Sequence, residues 1–371
     1  MKEHLLHRSL RFLWKAALPC IGILISGLPA IANNLFVRIV EVEGRVFTRP
    51  HPQAPEREIS VGDRLASGSF IRPAPRARVR VQCSDSSIPK LVSADELSSV
   101  STLCRDEFRG VIRGDGFLVS AGNLQGGSNA QIPYVITPRL GLLLTTTPPL
   151  RWNPIENSHQ YTVSLMSDQE NIWQIETAET VLPYPTNEPP LIPEVWYTLI
   201  ITSDSGKIST DEQTSSLRFR FFPSAEADAV QKAAQQIIES GVSEQAINVS
   251  LANLYSENGF LAEAITKLED LVTQGYQQPF VYRSLGDLYQ RSGLRLLAEE
   301  RYQQAIALAI APKHVEQRAA AELGLGLLYK RVGNLEQASH WFNLARTSYI
   351  ELGEQKAITL IDACASPDKH C

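Results

Sequence analysis

Cysteines and histidines are the residues of this 371-residue chain whose types lend themselves to covalent or metal chemistry. Cys20 lies in an apolar run near the start; Cys83, Cys104, Cys364 and Cys371 lie beyond it. An even set of four in an exported chain suggests disulfides. Three pairings are open, and the local ones, Cys83–Cys104 and Cys364–Cys371, are preferred because each lies within one segment; four free thiols are the alternative. No C-x-x-C or paired histidine accompanies them, and His51, His159, His314, His340 and His370 are scattered, so no metal is expected.

Other chemistry is thin. There is no G-x-S-x-G, no H-E-x-x-H and no phosphate loop. Gly114-Asp115-Gly116 starts like a dinucleotide loop but lacks the third glycine and a following helix. Asp95-Glu96 and Glu299-Glu300 read as surface charge. The expectation is a protein that is not an enzyme and has no cofactor. Two surface features invite ligands. Arg76, Arg78 and Arg80 form a basic stripe, which reads as a solvated strand face before it reads as an anion site. Trp152, Trp173 and Trp196 could stack on sugars, although aromatics in a sheet are usually core.

The N-terminus has the makings of an export signal. Lys2, Arg8, Arg11 and Lys15 precede an apolar run from Ala16 to Leu28, and Ala30-Ile31-Ala32 fits an A-x-A cleavage site. The run is short for a span of about 20 residues. Cleavage after Ala32 is favoured over an uncleaved anchor. The full chain carries −5; its first 32 residues hold a surplus of three positive charges, which leaves −8 for the rest. An acidic body argues against nucleic-acid and polybasic membrane binding.

Residues 35–104 read as a small β domain, with strict alternation from Arg76 to Gln82. Gly44-Arg45-Val46, the run from Val61 to Gly68, and Asp85-Ser86-Ser87 follow the order of motifs in FecR-like domains, which this segment resembles; Gly62-Asp63 is read as a turn dipeptide. Residues 105–133 read as a Gly-rich linker. Residues 134–222 read as a β-sandwich through Leu150-Arg151-Trp152, Tyr161–Leu165, Tyr197–Ile201 and Leu217–Phe221. Leu191-x-Pro193-x-x-x-Tyr197 resembles the corner of fibronectin type III or Ig-like domains, which implies a Tyr197 hydroxyl bonded back to the backbone. Residues 224–240 are expected to form a capping helix, with Ser224 at its start and Gly241 beyond its end.

Residues 244–351 repeat. Tyr255, Tyr289 and Tyr329 are spaced by 34 and 40 residues; Gly259, Gly293 and Gly333, then Ala264, Ala298 and Ala338, follow each at fixed offsets. The pattern resembles three tetratricopeptide repeats. Helices over about 244–257 and 261–273 are expected for the first, with small contacts at Ala252/Ala264, Gly286/Ala298 and Gly326/Ala338. The resemblance implies a concave groove lined by the first helix of each hairpin, with Asn253, Arg283, Asp287 and Lys330 exposed on it. The Lys positions of the family's carboxylate clamp hold Val249 and Ala320, so a terminal carboxylate is not the expected ligand. Residues 352–371 form a C-terminal tail.

The fold expected is therefore multidomain: a small all-β domain, a β-sandwich and an all-α solenoid. The function expected is an exported, non-catalytic scaffold of the periplasm or cell envelope that binds a protein or peptide partner through the helical groove. The alternative is a glycan or cell-wall binder acting through the β domains. The combination of domains resembles cyanobacterial envelope proteins.

Overall fold

The computed structural model describes residues 36–66, 68–83, 88–92, 97–104, 127–168, 170–211 and 217–365. The expected export signal, Asp85-Ser86-Ser87, Asp95-Glu96, Gly114-Asp115-Gly116, Cys20 and Cys371 lie outside the described residues.

The first β module holds β1 (Phe36–Glu43), β2 (Val46–Arg49), β3 (Arg57–Glu58), β4 (Arg64–Ala66), β5 (Phe70–Pro73), β6 (Arg78–Cys83), β7 (Lys90–Val92), β8 (Ser98–Ser99) and a short helix, α1 (Val100–Leu103). The strands form two four-stranded sheets, ordered β4-β1-β6-β7 and β3-β2-β5-β8. Alternation places Val37, Ile39, Val79 and Val81 in a common core. The Cys83–Cys104 disulfide ties the end of β6 to the end of α1. Between Ile39 and Glu41 the register of β1 against β6 slips by one residue. Such a bulge redirects the extra side chain. Val40 accordingly leaves this core and joins the helical one, where it is 1% exposed.

The second β module comprises β9 (Val135–Thr137), β10 (Gly141–Leu143), β11 (Leu150–Trp152), β12 (Tyr161–Ser167), β13 (Glu170–Thr177), β14 (Val181–Leu182), β15 (Thr198–Ser203) and β16 (Phe219–Phe221). Its sheets are ordered β14-β11-β9 and β13-β12-β15, with a parallel β10-β16 pair. Trp152, Tyr161, Val163, Leu165, Trp173, Tyr197 and Phe219 share one core. The Tyr197 hydroxyl accepts a hydrogen bond from the Ile192 backbone N–H at 3.0 Å, the bond expected of that corner.

Helices follow: α2 (Ala225–Ile238), α3 (Glu244–Glu257), α4 (Leu261–Thr273), α5 (Pro279–Arg291), α6 (Arg295–Leu308), α7 (Val315–Arg331), α8 (Leu335–Leu352) and α9 (Gln355–Ala365). Ser224 and Ser243 cap α2 and α3 by accepting from Ala227 and Ala246 backbone N–H groups. α3 packs on α4, α5 on α6 and α7 on α8. Gly259, Gly293 and Gly333 turn the chain between them at φ of 83°, 71° and 76°, conformations that favour glycine. The extra residues of the third copy form a 3₁₀ turn, Pro312–His314, ahead of the longer α7. The tail contributes α9, because Ile358, Ile361 and Cys364 recur at helical spacing and are buried.

Small residues at helix contacts make room for rings. A Cβ on Gly286 would stand 2.5 Å from Tyr302, and one on Gly326 would stand 2.5 Å from Phe342. The expected Gly286/Ala298 and Gly326/Ala338 contacts are thus glycine slots filled by aromatics one turn further along the partner helix. Both β modules and the helices belong to one compact unit, Leu35–Cys371. Among the described residues no helix is long and apolar enough to cross a membrane.

Gly286→Leu should overpack the Tyr302 slot and cost about 1–3 kcal/mol. A lowered denaturant midpoint at unchanged slope is the expected result.

Candidate functional site

The four residues expected to line an open groove lie on α3, α5 and α7, and the structure gives them partners within the chain. Asn253 Nδ2 donates to Gln82 Oε1 of β6 at 3.2 Å, and Gln82 Nε2 donates to the Ser250 carbonyl at 3.3 Å. Arg283 pairs with Asp287 at 2.5 Å, one helical turn away, and donates to Gln317 Oε1 at 3.2 Å. Asp287 also accepts from the Tyr302 hydroxyl at 2.8 Å. Lys330 Nζ donates to the Cys364 carbonyl of α9 at 2.6 Å. Arg283 and Asp287 are thus brought together, while Asn253 is tied to the first β module and Lys330 to the last helix. The expectation of an exposed Arg283 is corrected, since its side chain is only 11% exposed. The physical reason is that the first β module lies against this face.

The contact is built around the turn from Ser60 to Arg64. Gly62, at φ 93°, sits so close to α5 that a Cβ there would stand 2.1 Å from Phe280 Cβ. Both the dihedral and the approach therefore require glycine. Val40 and Val61 pack on the helical core beside it. Asp63 is fully buried. Its carboxylate accepts from Ser60 N at 3.2 Å, Arg57 Nη1 at 3.1 Å and Gln317 Nε2 at 3.0 Å. Glu316 of α7 accepts from Arg57 Nη2 at 3.1 Å and from the Arg64 backbone N–H at 2.8 Å. One guanidinium thus bridges a carboxylate of the β module and a carboxylate of the helices. His314 Nδ1 and Ser60 Oγ lie 3.1 Å apart at its edge. On the same face, Arg38 of β1 pairs with Glu257 of α3 at 3.2 Å.

Burial controls the charges. Desolvation, followed by the neighbouring Asp63, pushes the Glu316 carboxyl up to about 8 against the pull of Arg57. Burial works to lower Arg57 and Arg283, but the carboxylates beside them carry both upward, so both stay cationic. Desolvation lowers Arg38 to about 10, with Glu257 opposing it.

The second β module grips the helices elsewhere. Glu269 of α4 accepts from Arg151 of β11 at 3.0 Å and from Arg301 of α6 at 3.2 Å. Arg139 donates to the Ser292 carbonyl at 2.9 Å. A cleft of about 120 Å³ lies between Thr137, Thr145, Pro148 and Pro149 on one side and Tyr255, Glu263, Thr266 and Lys267 on the other. Glu263 uses one carboxylate oxygen to accept from the Leu144 backbone N–H at 2.6 Å, and the other is buried without a partner. Desolvation outweighs the backbone hydrogen bonds and raises this carboxyl to about 7.

The remaining sequence candidates resolve as structure. Trp152 and Trp173 are 1% and 4% exposed and lie in the core of the second module. Trp196 is half-buried, with the Arg220 guanidinium 4.6 Å from its ring centroid. Arg78 and Arg80 face Glu43 and Glu41 across the β1–β6 pairing at 3.9 and 2.9 Å. Cys364 is disulfide-bonded as well. Among the described residues no three His, Cys, Asp or Glu side chains are grouped to hold a metal ion. Sequence reasoning missed Arg57, Asp63, His314, Glu316 and Gln317. The only signal was Gly62-Asp63, which read as a turn and not as a contact. Compared with protein-family models and with curated proteins, the chain matches none.

Arg283→Glu should lower stability by about 1–3 kcal/mol, not the fraction expected of an exposed site, because it leaves a buried acid beside Asp287 and Glu316. Chemical denaturation checks it. Glu263 is protonated more readily in the folded than in the unfolded chain, so stability is highest below its unfolded value and falls as pH rises through about 7. Glu263→Gln should flatten the change in melting temperature between about pH 5 and pH 8.

Proposed function

We propose that this chain is an exported, non-catalytic scaffold that works by binding protein surfaces on the groove-lining face of a tetratricopeptide array. A FecR-like module and a fibronectin-like sandwich complete it. The observation that carries the reading is the use of the α3–α5–α7 face. Its polar side chains are matched to a folded protein surface, that of the first β module, through Gln317–Asp63, Glu316–Arg57 and Asn253–Gln82 contacts. A face that holds a β turn this way is suited to folded ligands more than to extended peptides. In the closed arrangement the ligand is the chain's own first module, so an outside partner competes with it.

Export is supported by the basic start, the apolar run and the A-x-A site, together with a bonded Cys83–Cys104 pair of the kind oxidising compartments preserve. The glycan reading is weakened by the burial of Trp152 and Trp173, which leaves Trp196 as its remaining aromatic.

Full-length R38E/R57E sets acids opposite Glu257 and Glu316 and should free the face. Self-occupancy reduces apparent affinity by the open fraction, so retention of a cross-linked envelope protein should rise about tenfold over wild type. Unchanged protein retention, with glycan binding lost in Trp196→Ala, would transfer the function to the β modules.

A further inference from the structure

We infer that the cleft between the second β module and the α3–α4 pair is a binding site for a primary ammonium on a short aliphatic stem, with the Glu263 carboxylate as its counter-ion. The inference stands apart from the proposed groove, since neither Asn253 nor Arg283 nor Gln317 lines this cleft.

The acid is already half engaged. Glu263 Oε1 accepts from the Leu144 N–H at 2.6 Å. Leu144 is not part of the cleft wall and Glu263 is, so Oε2 is the oxygen left for a ligand. Oε2 is buried and has no hydrogen-bond partner in the protein. A buried carboxylate oxygen without a donor is costly, and desolvation is what lifts this carboxyl to about 7. Among the described residues no cation relieves it. Lys267, one turn further along α4 in the cleft lining, lies 3.7 Å from Asp270.

The rest of the wall selects the body of the ligand. Pro148 and Pro149, between β10 and β11, offer apolar surface and no backbone N–H. Ala262 lies beside Glu263 on α4, and the Tyr255 ring comes from α3. Thr266 Oγ donates to the Ala262 carbonyl, which leaves its lone pairs to accept from a second N–H. The space is about 120 Å³. An apolar cavity of about 150 Å³ takes benzene, so a ligand of about five non-hydrogen atoms fits here.

The ligand's chemistry follows by elimination. An anion is repelled by the acid. A hard metal ion takes about six or more oxygens, and among the described residues no three His, Cys, Asp or Glu side chains are grouped to help supply them. A guanidinium fork needs both carboxylate oxygens, and one is already bound to Leu144. A neutral alcohol supplies a donor and no charge. A primary ammonium supplies both at a single point, and a stem of about four carbons fills the apolar remainder. A free alkylamine and a lysine side chain presented by another protein share that chemistry.

Titration calorimetry on the full chain tests the site with n-butylammonium. One saturable site is expected. n-Butanol, of the same size but uncharged, should bind about tenfold more weakly or worse, the fold-change of one charge-assisted hydrogen bond. Glu263→Gln keeps an oxygen for Leu144 and turns an amide NH2 toward the ligand, so it should weaken the amine by about tenfold or more. Thr266→Ile narrows the cleft and leaves the acid in place; it should weaken the amine too, and it decides the matter if Glu263→Gln does not fold. Nα-acetyl-lysine N-methylamide separates the two sources: binding equal to that of n-butylammonium assigns a lysine side chain, and its exclusion assigns a free amine. Absence of saturation by n-butylammonium overturns the site. Equal binding of n-butanol overturns it as well, as does saturation that survives both substitutions, which places the amine elsewhere on the chain.

Discussion

Arg57 is shared by two carboxylates, the buried Asp63 of its own turn and the partly buried Glu316 of α7, and the contact between this module and the helices is built on that sharing. A buried ion pair is a weak source of net stability, because desolvation cancels much of the attraction. It is a stronger source of specificity, because removing Arg57 leaves the fully buried Asp63 carboxylate without its cation. The turn can therefore sit in few places other than this one. Glu316 is pulled both ways, since burial and Asp63 favour its neutral form while Arg57 and the Arg64 N–H favour the ionised one. The seam between module and helices is thus a polar joint inside an otherwise apolar contact.

That joint requires backbones to come close, and glycine provides the approach twice. At Gly62 the missing side chain admits Phe280. Within the helices the same device recurs at Gly286 and Gly326, where Tyr302 and Phe342 fill the space. The Tyr302 ring also reaches Gly324 of α7, so one side chain ties α5, α6 and α7 together. Its hydroxyl then donates to Asp287, which holds Arg283. Packing of the helix pairs and the polar pattern of the α3–α5–α7 face are linked through this residue.

The two β modules use the helices in different ways. The second is joined through its core, with Ala262 of α4 packed against it, and through Glu269 held by Arg151 and Arg301. The first keeps a closed core and touches the helices through Val40, thrown outward by a bulge, through the turn, and through Arg38, Arg57 and Gln82.

The sequence by itself determined the local structure. Period-two alternation set the strands, the repeated Tyr, Gly and Ala positions set the helix pairs to within a residue for α3 and α4, the Tyr197 hydrogen bond was implied by the resemblance of its corner, and Cys83–Cys104 was the preferred local pairing among those open. These features arise from interactions between residues near in the chain, which a pattern records. What filled the helical face was decided only by the tertiary structure. Asp63 and Gln317 are 254 positions apart, and neither residue's own neighbourhood marks it as a partner of the other. Arg283 looks exposed from its helical position because the repeat pattern describes only the helices. It is covered because a module from the other end of the chain supplies the matching shape and charge.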